Sequence, residues 1–164
     1  MNRVYLGLGS NVERVKHIQL AIDAIMQLGQ VKLSPVYESE AIGFAGESFY
    51  NLVAELYTPL SLAQLVDSVR ATERLHGRQK NEQRFAPKTL DIDILSFNDA
   101  CGEFGDVCLP RDEILENAFV LKPLADIAPE QLHPILKLSY AELWRRFNKP
   151  QALQQILWPP KDLS

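Results

Sequence analysis

Apolar and polar residues alternate over residues 3–8, with Val4, Leu6 and Leu8 on one face, and the alternation breaks at Gly9-Ser10-Asn11. That pattern predicts a strand, a turn and an N-cap for the next element. The stripe Val15, Ile18, Ala21, Ile22, Ile25 and Leu28 has helical spacing and stops at Gly29, which is suited to a C-cap. Residues 31–39 read as a second strand, and Pro35 makes it an edge strand or a bulged one. Residues 42–48, with Gly43 and Gly46, read as a loop, and residues 49–57 as a third strand. Thr58-Pro59-Leu60-Ser61 ends that strand. Ser61 with Gln64 forms a capping box, and the helix it opens buries Leu62, Leu65, Val66 and Val69 before Gly77. After a basic loop, residues 90–97 form a fourth strand. The order strand, helix, strand, strand, helix, strand predicts an α+β fold with a ferredoxin-like βαββαβ core, an antiparallel sheet with two helices packed on one face. Beyond residue 97 the pattern weakens to a hairpin over 102–109, a brief helix over 112–117 and a terminal helix over 139–147. Trp158-Pro159-Pro160 reads as an extended surface tail on this C-terminal extension.

One strand carries chemistry. In Leu90-Asp91-Ile92-Asp93-Ile94 the period of two sends the apolar residues to one face and sets both carboxylates side by side on the other. Like charges at that distance disfavour each other, and aspartate is a poor strand former. A hard divalent cation over that face would relieve the repulsion, since Mg²⁺ takes one or two carboxylates and leaves its other positions to water and phosphate oxygens. The same spacing also fits a half-exposed strand whose solvent face carries two acids.

With 164 residues, 46% hydrophobic and 23% charged, the chain fits one domain over residues 1–164 with a core of its own. No apolar run is long enough to span a bilayer, and no secretory leader pattern opens the sequence, so a cytoplasmic location away from membranes is expected. Cys101 and Cys108 lack metal-ligand or redox spacing, and His17, His76 and His133 are scattered. The net charge of −4 argues against general nucleic-acid binding, but it hides an asymmetry: residues 70–88 carry +4 and the remainder −8. A basic segment leading into paired aspartates is what gripping a polyphosphate with bound metal requires.

Several segments taken together resemble the 6-hydroxymethyl-7,8-dihydropterin pyrophosphokinase family. They are Tyr5-Leu6-Gly7-Leu8-Gly9-Ser10-Asn11, Tyr37-Glu38-Ser39 with Ile42-Gly43, Phe49-Tyr50-Asn51, and His76-Gly77-Arg78. The likeness continues through Arg84-Phe85-Ala86-Pro87-Lys88-Thr89-Leu90-Asp91-Ile92-Asp93-Ile94, Asn117-Ala118-Phe119-Val120-Leu121 and Ile127-Ala128-Pro129. The resemblance implies a ferredoxin-like domain that transfers diphosphate from ATP to a pterin alcohol and releases AMP, in folate biosynthesis. It implies two Mg²⁺ ions held by Asp91 and Asp93, and Arg78 and Lys88 as the catalytic cations on the transferring diphosphate. Glu73, Arg84 and Ile94 match nucleotide contacts. Asn51 matches the amide that reads the pterin edge, Phe49 and Phe119 the rings that clamp it, and Ser39 and Ile42 the loop groups that reach the same edge. The implied partners are small molecules, with no nucleic acid or membrane, and a monomer is the favoured state.

The sequence departs from the common family pattern on the nucleotide side. Lys88 replaces an arginine, Arg111-Asp112 replaces a histidine and a second ring, Asn117 stands where arginine is common, and Phe85-Ala86 replaces tryptophan and glycine. These changes leave open a second class of function, a catalytically weak pterin-binding sensor or scaffold. An RNA-recognition module shares the element order, but would present aromatics where this chain has Asp91 and Asp93.

Overall fold

The computed structural model describes residues 1–39, 48–76 and 90–160 of the chain. Strand β1 (Asn2–Ser10) is followed by α1 (Arg14–Met26), β2 (Gln30–Leu33), β3 (Val36–Ser39), β4 (Phe49–Thr58), α2 (Leu62–Leu75) and β5 (Asp91–Phe97). The chain continues through the hairpin β6 (Gly102–Phe104) and β7 (Val107–Leu109), then α3 (Glu113–Glu116), α4 (Ala118–Ile127), α5 (Tyr140–Arg146) and β8 (Gln154–Ile156). The main sheet runs β5-β1-β4-β3-β8, with β2 also paired to β4 and every pair antiparallel. This is the expected ferredoxin-like α+β core.

Alternation along the central strand decides what each face of the sheet becomes. Val4, Leu6 and Leu8 of β1 bury against Ile18, Ile22 and Ile25 of α1 and Leu65 and Val69 of α2, with Ile92 and Ile94 of β5 alongside. Burial of this kind contributes roughly 25 cal/mol per Å² of apolar surface. The opposite face is covered as well, which the expectation of helices on one face did not include: Tyr5, Val53 and Leu95 pack under α4 and α5 against Leu121, Leu124 and Leu143. In β5 an extra residue, Leu95, falls between the pairs Leu6↔Ile94 and Tyr5↔Ser96. This bulge turns both Leu95 and Ser96 toward the α4–α5 side.

Several local expectations change in the folded chain. Strand β1 continues through Gly9 and Ser10, and the N-cap of α1 is Glu13, in the left-handed region with no side-chain cap bond. The second strand divides at Ser34-Pro35 into β2 and β3, both paired to β4. Ser34 bridges the break, its N–H donating to Val53 O at 2.9 Å and its hydroxyl accepting from Val53 N at 2.9 Å. The capping box of Ser61 and Gln64 forms as read. Helix α4 escaped the pattern because Pro123 lies inside it and its apolar residues run almost without polar interruption. The C-terminal segment is not a surface tail throughout: β8 pairs with β3, and Trp158 meets the ring of Tyr50 edge-on. Gly77 and residues 42–47 of the expected loop lie outside the described residues. No described helix is long and apolar enough to cross a membrane.

Gly29 also has a different role from the one its position suggested. Helix α1 closes three residues earlier, with Gln27 as its cap. A β-carbon on Gly29 would meet the carbonyl oxygen of Tyr57 at 1.9 Å, a backbone atom that cannot step aside. Gly29→Ala is therefore expected to destabilise the protein by about 2–3 kcal/mol, the upper range for overpacking, read as a lowered urea midpoint with an unchanged slope.

Candidate active site

The site begins with missing side chains. Between β4 and β5, the register of β1 sets Gly9 against Asn51 on one side and Asp91 on the other, and Gly7 against Val53 and Asp93. These positions all open onto the α4 face, and where a central strand would normally fill the space the two glycines leave a floor without side chains. The result is a cavity of about 190 Å³. Asn51, Asp91 and Asp93 stand at its walls, and Phe49 of β4 and Phe119 of α4 line it as aromatic flanks. A slot with rings at its sides and one amide suits a flat heterocycle with a hydrogen-bonding edge.

Neighbouring contacts hold these groups in place. The buried Asn51 amide donates from Nδ2 to Ser39 Oγ at 3.2 Å. A β-carbon on Gly9 would lie 2.6 Å from Asn51 Oδ1, so the amide occupies space that only glycine leaves. Helix α4 is fastened over the cavity by Tyr37, whose hydroxyl donates to Asp126, a carboxylate that also pairs within the helix with Lys122 at 2.7 Å. Its first turn is held from a distance: Ala118 N donates to Gln151 Oε1 at 2.7 Å, and Gln151 Nε2 donates to Glu116 O at 2.9 Å. Next along the chain from Ser39 and Phe49, the side chains of Glu38 and Ser48 are both contacted by Arg14.

A second, polar groove of about 130 Å³ lies across the edge strand β5 toward α2. Its lining includes Glu73, Ile94, Asp93 and Arg111. Glu73 is buried, and its Oε2 accepts from Ile92 N at 2.9 Å, fixing helix α2 to the aspartate strand. Arg70 and Asp106, 2.5 Å apart, join α2 to the β6–β7 hairpin at the rim of the groove. Because β5 is the edge strand, Asp93 lines both the cavity and the groove.

Charge is concentrated at that junction. Burial, and next the nearby charge of Asp91, push the Asp93 carboxyl well above the usual carboxylate range, against the pull of Arg111. Arg111 Nη2 lies 2.6 Å from Glu113 Oε1 and 3.6 Å from Asp93 Oδ1. Among the described residues no group of three or more His, Cys, Asp and Glu side chains is arranged to hold a metal ion. Two neighbouring carboxylates, one of which also faces a polar groove, do fit a hard cation whose remaining ligands come from water and a bound polyphosphate.

Ser39, Phe49, Asn51, Phe119, Asp91 and Asp93 thus line the cavity, and Glu73 and Ile94 line the groove. Ile42, Arg78, Arg84 and Lys88 lie outside the described residues. Asn117 lines neither space; it is the N-cap residue of α4, and its carbonyl accepts from Val120 and Leu121. The reading missed Glu113, and it missed the role of Gly7 and Gly9 as the floor. The signal for the floor was present in two glycines at alternate positions of a strand.

Asp93 also carries a cost in stability. Its folded carboxyl holds a proton more tightly than the unfolded one, so its favourable contribution is complete below the unfolded pKa and is lost as pH rises through the folded value. Asp93→Asn is expected to raise the stability of the ligand-free protein on the order of 1 kcal/mol at mildly alkaline pH. Melting temperatures across a pH series should show the advantage shrinking toward the ordinary carboxylate range.

Comparison with known proteins agrees with this geometry. The model of the 7,8-dihydro-6-hydroxymethylpterin-pyrophosphokinase (HPPK) family matches residues 5–129. The 2-amino-4-hydroxy-6-hydroxymethyldihydropteridine pyrophosphokinase of Pseudomonas aeruginosa is 40% identical over 135 residues, covering 79% of this chain and 83% of that one. The protein of the same name from Aquifex aeolicus is 35% identical over 145 residues, covering 87% and 90%. In fold, the chain is similar to a crystal structure of Plasmodium falciparum HPPK-DHPS with pterin and p-hydroxybenzoate. The TM-score is 0.70 at 16% identity, over 89% of this chain and 43% of that longer one. By the extent of the family match and the identity to these full-length relatives, the chain belongs to the 7,8-dihydro-6-hydroxymethylpterin-pyrophosphokinase family.

Proposed function

We propose that this chain transfers the diphosphoryl group of ATP to the hydroxymethyl oxygen of 6-hydroxymethyl-7,8-dihydropterin and releases AMP, a step of folate biosynthesis. The observation that carries the reading is the meeting of a cavity lined by two aromatic rings and a polar groove at one carboxylate, Asp93. Family membership supplies the reaction class.

In this reading the pterin lies between Phe49 and Phe119 with its polar edge on Asn51 and Ser39, and Ile42, outside the described residues, is a further contact proposed for that edge. ATP lies in the groove, with its base near Ile94 and Glu73, and its phosphates reach toward Asp91 and Asp93. The pterin hydroxyl oxygen forms a bond to the β-phosphorus while the bond from that phosphorus to the α–β bridging oxygen breaks. AMP departs with the bridging oxygen, and the hydroxyl proton passes to water. The chain's contribution is alignment and charge neutralisation. Asp91 and Asp93 would hold two Mg²⁺ ions, which supply neutralisation along the triphosphate when bound. Arg78, Lys88 and Arg84, outside the described residues, are the further cations proposed for the phosphates. Lys88 would act as a point charge rather than a bidentate fork.

AMP release tests the reading. Release that needs ATP, the dihydropterin and Mg²⁺ together is expected, and chelator should abolish it. Asp91→Asn should lower the rate by at least about a hundredfold without unfolding the protein. Turnover unaffected by chelator, or full activity in Asp91→Asn, would exclude the metal assignment. On the pterin side, Gly9→Ala pushes the Asn51 amide aside. Calorimetric titration with the dihydropterin should then show about tenfold weaker binding, equivalent to roughly one hydrogen bond, while affinity for an ATP analogue stays near wild type.

A further inference from the structure

Arg111 stands at the wall between the two spaces. Its backbone is fixed, since Arg111 N donates to Leu95 O at 2.9 Å and Arg111 O accepts from Ile114 N at 3.2 Å. Only the side chain has room to move, and it is 32% exposed on the groove side. The guanidinium contacts its two acidic neighbours unequally. Glu113 Oε1 accepts a charge-assisted hydrogen bond from it at 2.6 Å, whereas Asp93 Oδ1 at 3.6 Å is within ion-pair range but too far for a hydrogen bond. Glu113 lines the cavity, Arg111 the groove, and Asp93 both.

This arrangement places a permanent cation beside the carboxylate that the proposed function assigns to metal. With the groove empty of phosphate, Arg111 supplies part of the neutralisation that Asp93 needs, so an arriving cation must overcome its repulsion. A triphosphate in the groove changes the balance. Its oxygens offer the guanidinium a stronger, bidentate partner, and turning toward them relieves Asp93. Glu113 tethers the guanidinium and keeps it from closing fully onto Asp93.

We infer that Arg111 is a tethered positioning cation that makes metal binding at Asp93 conditional on a nucleoside triphosphate in the groove, with Glu113 as its tether. The inference rests on the proposed metal and nucleotide assignment. It predicts synergy between the two ligands, and it predicts that Arg111 and Glu113 act on bare-metal affinity with opposite signs.

The test is Mn²⁺ binding by electron paramagnetic resonance, without and with a non-hydrolysable ATP analogue, in the wild-type chain and in Arg111→Gln, Arg111→Lys and Glu113→Gln. Circular dichroism serves as the check on folding. Arg111→Gln should bind Mn²⁺ alone about five- to tenfold more tightly, the scale of one partly exposed ion pair, and should lose most of the enhancement that the analogue produces. Glu113→Gln releases the guanidinium onto Asp93 and should weaken binding of Mn²⁺ alone. Arg111→Lys keeps the charge and should restore part of the synergy. Bare-metal affinity within twofold of wild type in Arg111→Gln, or shifts of the same sign in the Arg111→Gln and Glu113→Gln variants, would overturn the inference. In either case the metal assignment stands if the wild-type chain binds Mn²⁺ with the analogue present. A wild-type chain that binds no Mn²⁺ under either condition overturns both.

Discussion

Everything at this site depends on a central strand whose α4 face is bare of side chains at two alternate positions. Gly7 and Gly9 lie in register between Asn51 and Val53 on one neighbour and Asp91 and Asp93 on the other. The opposite face of the same strand is filled by Val4, Leu6 and Leu8 and anchors the core under α1 and α2. One strand thus provides both rigidity and vacancy, separated only by the pleat. A site whose walls are strands backed by a packed core holds its side chains more rigidly than one built on loops, which suits a reaction governed by alignment.

The vacancy would be unstable without a cover. Helix α4 supplies it, and its position is set by polar ties at several points, from Tyr37 to Asp126 and from Gln151 to the α3–α4 junction. These ties come from β3 and from the segment before β8. The late elements of the chain, which carry the weakest sequence pattern, therefore help determine where Phe119 lines the cavity.

The electrostatics follow from the edge position of β5. A carboxylate pair in the middle of the sheet would be sealed from solvent; at the edge, Asp93 is reached from two sides and shares its surroundings with Arg111. Its raised proton affinity comes first from burial and next from the charge of Asp91, and a counter-charge opposes both. Arg111, a departure from the common family residue, provides one within the chain. A change on the nucleotide side that reads in the sequence as lost function lies in the fold as a local counter-ion.

What the sequence determined by itself was local and periodic. The period of two set Asp91 and Asp93 on one face and Ile92 and Ile94 on the other, the Ser61–Gln64 box marked the start of α2, and Pro35 marked an irregularity in the second strand. Each depends on neighbours a few residues apart, so no distant contact was needed to read it. Register, coverage and proximity were decided only by the tertiary structure. That Gly29 is small because Tyr57 passes beside it, that Gly9 makes room for Asn51, that Pro123 is tolerated in a helix closing the cavity, and that Glu113 and Arg111 meet Asp93 are all consequences of which residues fold against one another. Such contacts join positions far apart in the chain, and their energies come from packing and burial that no local pattern encodes.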